Sequence, residues 1–554
     1  MLSDTQIRQQ VQSKPINQIA DRLGIDKADL LPYGREMAKI HTNALQRPSI
    51  KQGRLILISA TTPTAGGEGK TTTTIGLGQA FAKLGKSVCL ALREPSLGPC
   101  LGMKGGATGG GYSQIMPADR INLHFTGDFH AITSANNLLA AVIDNHVYQG
   151  NDLNIDPRQV LWRRVIDMND RSLRNIVLGL GGKLQGIPRE GGFDITAASE
   201  VMAMLCLASN LDDLRQRLEN ILVAFTYEGK PVFARQLQVT GAMLALLRDA
   251  IHPNLVQSIE GVPTFVHGGP FANIAHGCNS LLATRMAQHY ADWAITEAGF
   301  GFDLGAEKFF DIKCRIGSLD PQAVVLVTTT RALKLHGGKA KEKLNEKDLS
   351  ALRKGLSNLD KHIENVRKFN KRAVVALNRF SGDNTAELEL IKARCQELDT
   401  PFAICDHYAA GGEGAIELAE QVMQVANQSQ PYQPLYPLDL PIEDKVRIIC
   451  QEIYGADNVA FTKQAAKDLR QVQQLGFDHL PVCIAKAPGS LSDDPNLLGR
   501  PRDFDVTIRG IQINSGAGFL VVLTGDILRM PGLPKHPNAE HWQLQKDGSI
   551  LNLN

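Results

Sequence analysis

The sequence predicts an α/β protein, with a mainly parallel sheet covered by helices on both faces and further α/β domains around it. Two observations carry this. Short apolar runs of buried-strand length recur at RLILISA (54–60), SVCLAL (87–92), AVVLVTT (323–329) and AVVALN (373–378). Between them lie helix-like stretches, such as the charged EKDLSALRKGLSNLDKHIENVRKF that separates the last two runs. In such sheets ligands bind beyond the carboxyl ends of the strands, so Arg93, Glu94 and Asn378 are positions to examine.

The first two runs flank TTPTAGGEGKTTTTIG (61–76). Gly69, Lys70 and Thr71 match the end of a phosphate-binding loop, although Thr64 stands where that motif usually opens with glycine. After the loop Ile75, Leu77, Ala80, Phe81 and Leu84 recur at mostly helical spacing, and Gly85 is a stop signal. Strand, glycine loop, helix, strand is the context a nucleotide site requires, which makes the core P-loop NTPase-like. Gly66, Gly67 and Gly69 let backbone amides turn toward phosphate oxygens, and the helix N-terminus adds positive potential. Lys70 is placed to reach the terminal phosphates and the Thr71 hydroxyl to bind Mg2+. A glycine-rich turn without a ligand is the plain alternative. Four threonines, however, are poor helix openers that folding alone would not select.

The remaining segments follow in order. Residues 1–50 read as mostly helical. Residues 94–111 are glycine-dense and read as a long loop beside the phosphate site, neither helix nor packed strand. Helices follow at SANNLLAAVIDNH and ITAASEVMAMLCLASNLDDLRQRLENI. A proline-rich boundary falls at 433–441, and the tail alternates helix and strand through PVCIAK (481–486) and GFLVVLT (518–524).

At 554 residues the chain has room for about three or four domain-sized units. It is 43% apolar and 21% charged, with net charge +2, so nothing global favours nucleic acid or a membrane. Nine cysteines without metal-ligand spacing read as reduced thiols of a cytoplasmic protein, and the polar N-terminus reads as no signal peptide.

Other chemical candidates each have a plain reading. Arg93 follows the second strand and could clamp a carboxylate or phosphoryl group, or pair with Glu94 or a surface acid. FVHGGPFANIAHGCNS (265–280) could line a polar pocket, but the spacing of His267 and His276 fits no zinc pattern. Phe300 and Phe302 lie among glycines and could stack on a flat ligand or simply pack in the core. The basic run 331–343 reads as a solvated face or an attractor for an anionic substrate tail.

Together these motifs resemble the monofunctional bacterial formate–tetrahydrofolate ligases (formyltetrahydrofolate synthetases) over nearly the whole chain. The matching stretches, in the family's order, are GGEGKTTTTIGLGQA, LREPSLGP, KGGATGGGY, INLHFTGDFHAI, DNHVYQGN, WRRVIDMND, GFDITAASEVMA, FVHGGPFANIAHGCNS, FGFDLGAEKFFDIKCR, ALKLHGG, GGEGAIELAE, SLSDDPNLLGRP and MPGLPK. The resemblance implies ATP-dependent activation of formate as formyl phosphate, then formyl transfer to tetrahydrofolate, with Mg2+, a monovalent cation (K+ or NH4+) and a homotetramer. It implies catalytic roles for Lys70, Arg93, Glu94 and Asp128. ATP would be held by Thr64, Ala65, Gly66, Gly67, Glu68, Gly69, Lys70 and Thr71, and the pterin by Phe300, Phe380 and Tyr408. The organisation expected is a discontinuous nucleotide-binding domain (1–115 and 266–360), an inserted, largely helical α/β domain (116–265) and a C-terminal α/β domain (361–554) that contributes to the folate site.

Three stretches depart from the family pattern. Ser381 stands for proline after Phe380. Tyr408 and Ala410 stand for tryptophan and lysine. Pro488 and Gly489 stand for glutamine and tyrosine. All three fall at the folate and adenine ends, so a paralog with an intact phosphate site but another acceptor, or a regulatory role, is the alternative. A partitioning-type ATPase switch would carry a lysine early in the loop, where this chain has Ala65.

Overall fold

The computed structural model describes residues 2–48, 51–103, 106–525, 527–546 and 548–553. Lys104 and Gly105 of the KGGATGGGY stretch lie outside the described residues.

Ten strands form the path of the main sheet. They are β1 (Leu30–Pro32), β2 (Ala38–Ile40), β3 (Arg54–Ala60), β4 (Val88–Leu92), β5 (Asn254–Ser258), β6 (Pro263–Val266), β7 (Trp293–Glu297), β8 (Pro321–Thr328), β9 (Ala373–Asn378) and β10 (Phe402–Cys405). Their spatial order is β1-β2-β5-β6-β4-β7-β3-β8-β9-β10. From β6 to β10 every pairing is parallel, and the β1–β2, β2–β5 and β5–β6 pairings are antiparallel. The sheet draws strands from all three of the expected units: β5 comes from the segment 116–265, and β9 and β10 come from beyond residue 360.

The period of two along β3 explains why its run reads as continuously apolar. Leu55 and Leu57 face one core with Phe302, Phe310 and Phe369. Ile56 and Ile58 face the other with Ile75, Leu77 and Phe81 of α1 (Lys70–Lys83). Both faces are buried, so the alternation of a half-exposed strand is absent. A third core gathers Ile132, Leu139 and Ile143 of α2 (Asp128–Tyr148) with Met202, Leu205 and Phe519.

Two expectations are corrected. Among the described residues of the first 50, the helices are short, Asp4–Gln9 and Ile16–Leu23 with 3-10 turns at Lys27–Asp29 and Thr42–Gln46, and β1 and β2 take the sheet edge. The glycine-dense segment holds a short helix, Leu97–Leu101. Asp167 fixes its start, accepting from Ser96 Oγ at 2.5 Å and Leu97 N at 2.8 Å. Among the described residues no helix is long and apolar enough to cross a membrane.

Candidate active site

The glycine loop leaves β3 and enters α1. Its base is fixed by buried hydrogen bonds. The His336 Nε2–H donates to Thr62 O (2.9 Å) while Nδ1 accepts from Gly499 N (3.1 Å), which sets the tautomer. Burial holds this imidazole below its ordinary pKa, hence neutral. Higher in the loop Glu68 acts as an internal brace. It accepts from Thr64 N at 2.7 Å and from the Thr329 hydroxyl, and its carbonyl accepts from Asn378 Nδ2 at 3.1 Å. The last strand residue noted in the sequence, Asn378, thus holds the loop from β9.

Gly69 caps α1 at φ +79°, and a Cβ there would meet Asn378 Nδ2 at 2.4 Å, so only glycine fits. At Gly66 and Gly67 a Cβ would meet nothing within 4 Å; the loop tip borders open space. The helix has no side-chain cap, which leaves its first amides available to an anion. The threonines fold back on the helix: Thr73 Oγ1 donates to Gly69 O (3.0 Å) and Thr74 Oγ1 to Lys70 O (2.8 Å).

Lys70, Thr71 and Arg93 meet around Glu297, at the carboxyl end of β7. Thr71 Oγ1 donates to Glu297 Oε2 at 2.8 Å, and Arg93 Nε lies 3.9 Å from Glu297 Oε1. Arg93 therefore pairs loosely across the sheet with Glu297 rather than with its neighbour Glu94. Desolvation is the main force on the Lys70 ammonium and lowers its pKa to about 8; Glu297 raises it and Arg93 lowers it further. Glu297 is a member of this candidate site that the sequence alone did not single out. Its one signal was its place at the end of a buried strand.

Glu94 and Asp128 form a second cluster with Lys39. Asp128 opens α2 and accepts from Lys39 Nζ at 2.7 Å and from Asn254 Nδ2 at 2.8 Å. Burial, followed by the charge of Asp128, pushes the Glu94 carboxyl well above the usual range.

The aromatic candidates separate. Phe300 is half-buried, three residues beyond Glu297, with a left-handed backbone at φ +55°. Phe302 is fully buried against Phe310 and Phe369 at centroid distances of 6.2 and 5.9 Å, so it belongs to the core. Phe380 carries the Arg331 guanidinium 4.2 Å above its ring. Tyr408 packs elsewhere: its hydroxyl donates to Asp4 Oδ1 at 3.0 Å and its carbonyl accepts from Tyr112 N at 2.8 Å. Around the altered positions, Lys486 is buried and ion-paired with Asp303 at 2.7 Å, and a side chain at Gly489 would meet nothing within 4 Å. A cavity of about 430 Å³, lined by Trp162, Arg163, Asp194, Glu200 and Arg529, lies away from the loop, which is itself open to solvent.

Compared with protein families, residues 2–554 match the family described as formate–tetrahydrofolate ligase.

Proposed function

The chain belongs to the formate–tetrahydrofolate ligase family, and from that premise we propose that it joins formate to tetrahydrofolate at the expense of ATP, through formyl phosphate. The observation that carries this reading is the convergence of Lys70, Arg93 and the uncapped start of α1 around Glu297. Two cations and a helix N-terminus suit a reaction in which a phosphoryl group moves between two anions.

The chemistry follows from the substrates. A formate oxygen attacks the γ-phosphorus and ADP leaves, giving formyl phosphate. The amine nitrogen that bridges pterin and benzoate then attacks the formyl carbon. Phosphate leaves and the nitrogen loses its proton. Formate alone is a poor electrophile because its carbonyl belongs to an anion; phosphorylation supplies the leaving group. The protein's task is positioning and charge stabilisation.

In this reading residues 64–71 cradle the nucleotide phosphates, Lys70 reaches the terminal ones, and Arg93 holds formate and then formyl phosphate. Glu94 and Asp128 border the intermediate. The Thr71 hydroxyl beside the Glu297 carboxylate offers the oxygen donors Mg2+ takes, and Mg2+ there would neutralise charge on the phosphates. Phe300 and Phe380 supply aromatic faces for the pterin. Tyr408, tied to Asp4, would join them only by leaving that contact. A homotetramer, a monovalent cation and a cytoplasmic location complete the family-based reading.

The test is an assay with Mg-ATP, potassium and formate, with and without tetrahydrofolate, in which ADP and formyltetrahydrofolate are quantified together. Equal amounts of both support the ligase. ADP without the folate product points to another acceptor, and formate-independent ATP hydrolysis points to a nucleotide switch.

A further inference from the structure

The basic run 331–343 that the sequence singles out divides once folded. Lys334 is buried and ion-paired with Glu387 at 3.3 Å, His336 is held between Thr62 and Gly499, and Lys339 pairs with Asp348 at 3.3 Å. These groups serve the fold. Lys341 and Lys343 are exposed on a short turn. Arg331 differs from all of them. Its guanidinium lies 4.2 Å above the Phe380 ring, and among the described residues it has no ion pair or hydrogen bond. The pair stands beside the phosphate loop. Thr329, two residues before Arg331, donates to the Glu68 side chain, and Asn378, two residues before Phe380, donates to the Glu68 carbonyl. Asp383, the acid of the Phe380 loop, accepts from the Thr330 hydroxyl at 2.5 Å and from Phe380 N at 2.8 Å. It fastens the loop to the Arg331 segment and makes no ion pair with the guanidinium.

We propose that Arg331 is a specificity-determining residue of the acceptor subsite: it binds a carboxylate of the glutamate tail of tetrahydrofolate while the aromatic part of the acceptor packs against Phe380. This rests on the ligase reading for the identity of the acceptor. A guanidinium over an aromatic ring keeps its N–H edges available, and those edges match a carboxylate. Arg331 and Phe380 are both half-buried, so ring and cation each keep surface for a ligand. Partial exposure also explains why this cation can stay unpaired until the ligand arrives, whereas the buried Lys334 could not. The tail carries the anionic groups of the acceptor, and the pterin is neutral, so the tail is the part that a cation distinguishes.

Anaerobic titration calorimetry with two acceptors tests this. One is tetrahydrofolate; the other is tetrahydropteroate, which has the same pterin and benzoate without the glutamate. Wild type should bind tetrahydrofolate about tenfold more tightly, the gain expected of one charged hydrogen-bonded contact. Arg331→Met keeps an unbranched side chain against Phe380 and removes the charge. It should weaken tetrahydrofolate about tenfold and leave tetrahydropteroate within about twofold, so that the preference disappears. Arg331→Lys, which restores a charge without the planar fork, should recover part of it. Equal weakening of both acceptors would make Arg331 a support for the Phe380 ring alone, and unchanged tetrahydrofolate binding would remove it from the site; either result overturns the proposal. The titration needs no turnover. If wild type binds tetrahydrofolate but forms no product, the reaction falls and the two binding constants still decide Arg331. If wild type binds neither acceptor, the acceptor and this proposal fall together.

Discussion

The Thr71 hydroxyl donates to Glu297 at 2.8 Å, joining the first turn of α1 to the end of the neighbouring parallel strand β7. Arg93, from the strand on the other side of β7, approaches the second oxygen of the same carboxylate. Glu297 thus ties its own strand β7 to side chains from two neighbouring elements, α1 and the end of β4, at the carboxyl edge of the sheet. The long Arg93–Glu297 separation leaves the guanidinium only loosely held, which suits a group meant to exchange its partner for a substrate anion.

Arg93→Ala should therefore abolish product formation and largely spare ATP binding. We expect kcat to fall by at least about 10²–10³-fold, the loss typical of a group that stabilises transition-state charge. The dissociation constant of ATP should change only a few-fold. Stopped-assay product formation and nucleotide titration read the two separately. Near-normal turnover would remove Arg93 from the centre.

Phe300 and Phe302 should respond in opposite ways. Phe302→Ala empties a fully buried position and should cost about 3–5 kcal/mol of stability. Phe300→Gly relieves a left-handed backbone, so stability should stay within about 1 kcal/mol while KM for tetrahydrofolate rises. Urea unfolding together with folate kinetics on both variants checks this. A destabilised Phe300→Gly with unchanged folate KM would make Phe300 a packing residue.

Glu200 predicts a pH-dependent stability. Burial raises its carboxyl to about 7 from an ordinary 4.5, although Gly516 N and Ala517 N donate to it at 2.8 and 3.1 Å. The folded state therefore holds the proton more tightly than the unfolded chain. Its contribution is complete below about pH 4.5 and is lost as pH rises through 7. Glu200→Gln keeps an acceptor for both amides and removes the titration. It should match wild type near pH 4 and exceed it by about 3 kcal/mol at pH 8, because each tenfold difference in proton affinity between the folded and unfolded chain is worth ~1.4 kcal/mol. Unfolding midpoints at the two pH values test the crossover.

What the sequence reveals here follows from the range of the interactions. Arg54–Ala60 and Ala373–Asn378 appear as strands with the bounds read from their apolar runs, because burial on both faces leaves an uninterrupted signal. The loop is legible because glycine and lysine spacing is local. The strand Ala38–Ile40 is not legible: three residues carry no period, and its central lysine reads as a surface residue until Asp128, far away in sequence, is seen to cover it. The helix Leu97–Leu101 was hidden for the same reason, since the carboxylate that starts it comes from Asp167. Glu297 stood in plain view at a strand end, but its partners Thr71 and Arg93 become neighbours only once the sheet order is known.

The ion pair between Lys486 and Asp303 yields the last prediction. Both side chains are fully buried, 2.7 Å apart, and Lys486 also lies 5.0 Å from the centre of the Tyr454 ring. Lys486 follows the C-terminal strand Val482–Ala485, and Asp303 lies three residues beyond Phe300, so the pair pins the C-terminal region to the loop that carries the aromatic candidate. Lys486→Met leaves the Asp303 charge buried without its cation and should cost about 3–5 kcal/mol. Asp303→Asn added to it removes that charge and should recover much of the loss. Denaturant midpoints for the two single variants and the double variant give the coupling. Because Asp303 lies three residues from Phe300, Lys486→Met should also raise KM for tetrahydrofolate. Additive losses, or an unchanged folate KM, would reduce the pair to two independent buried groups.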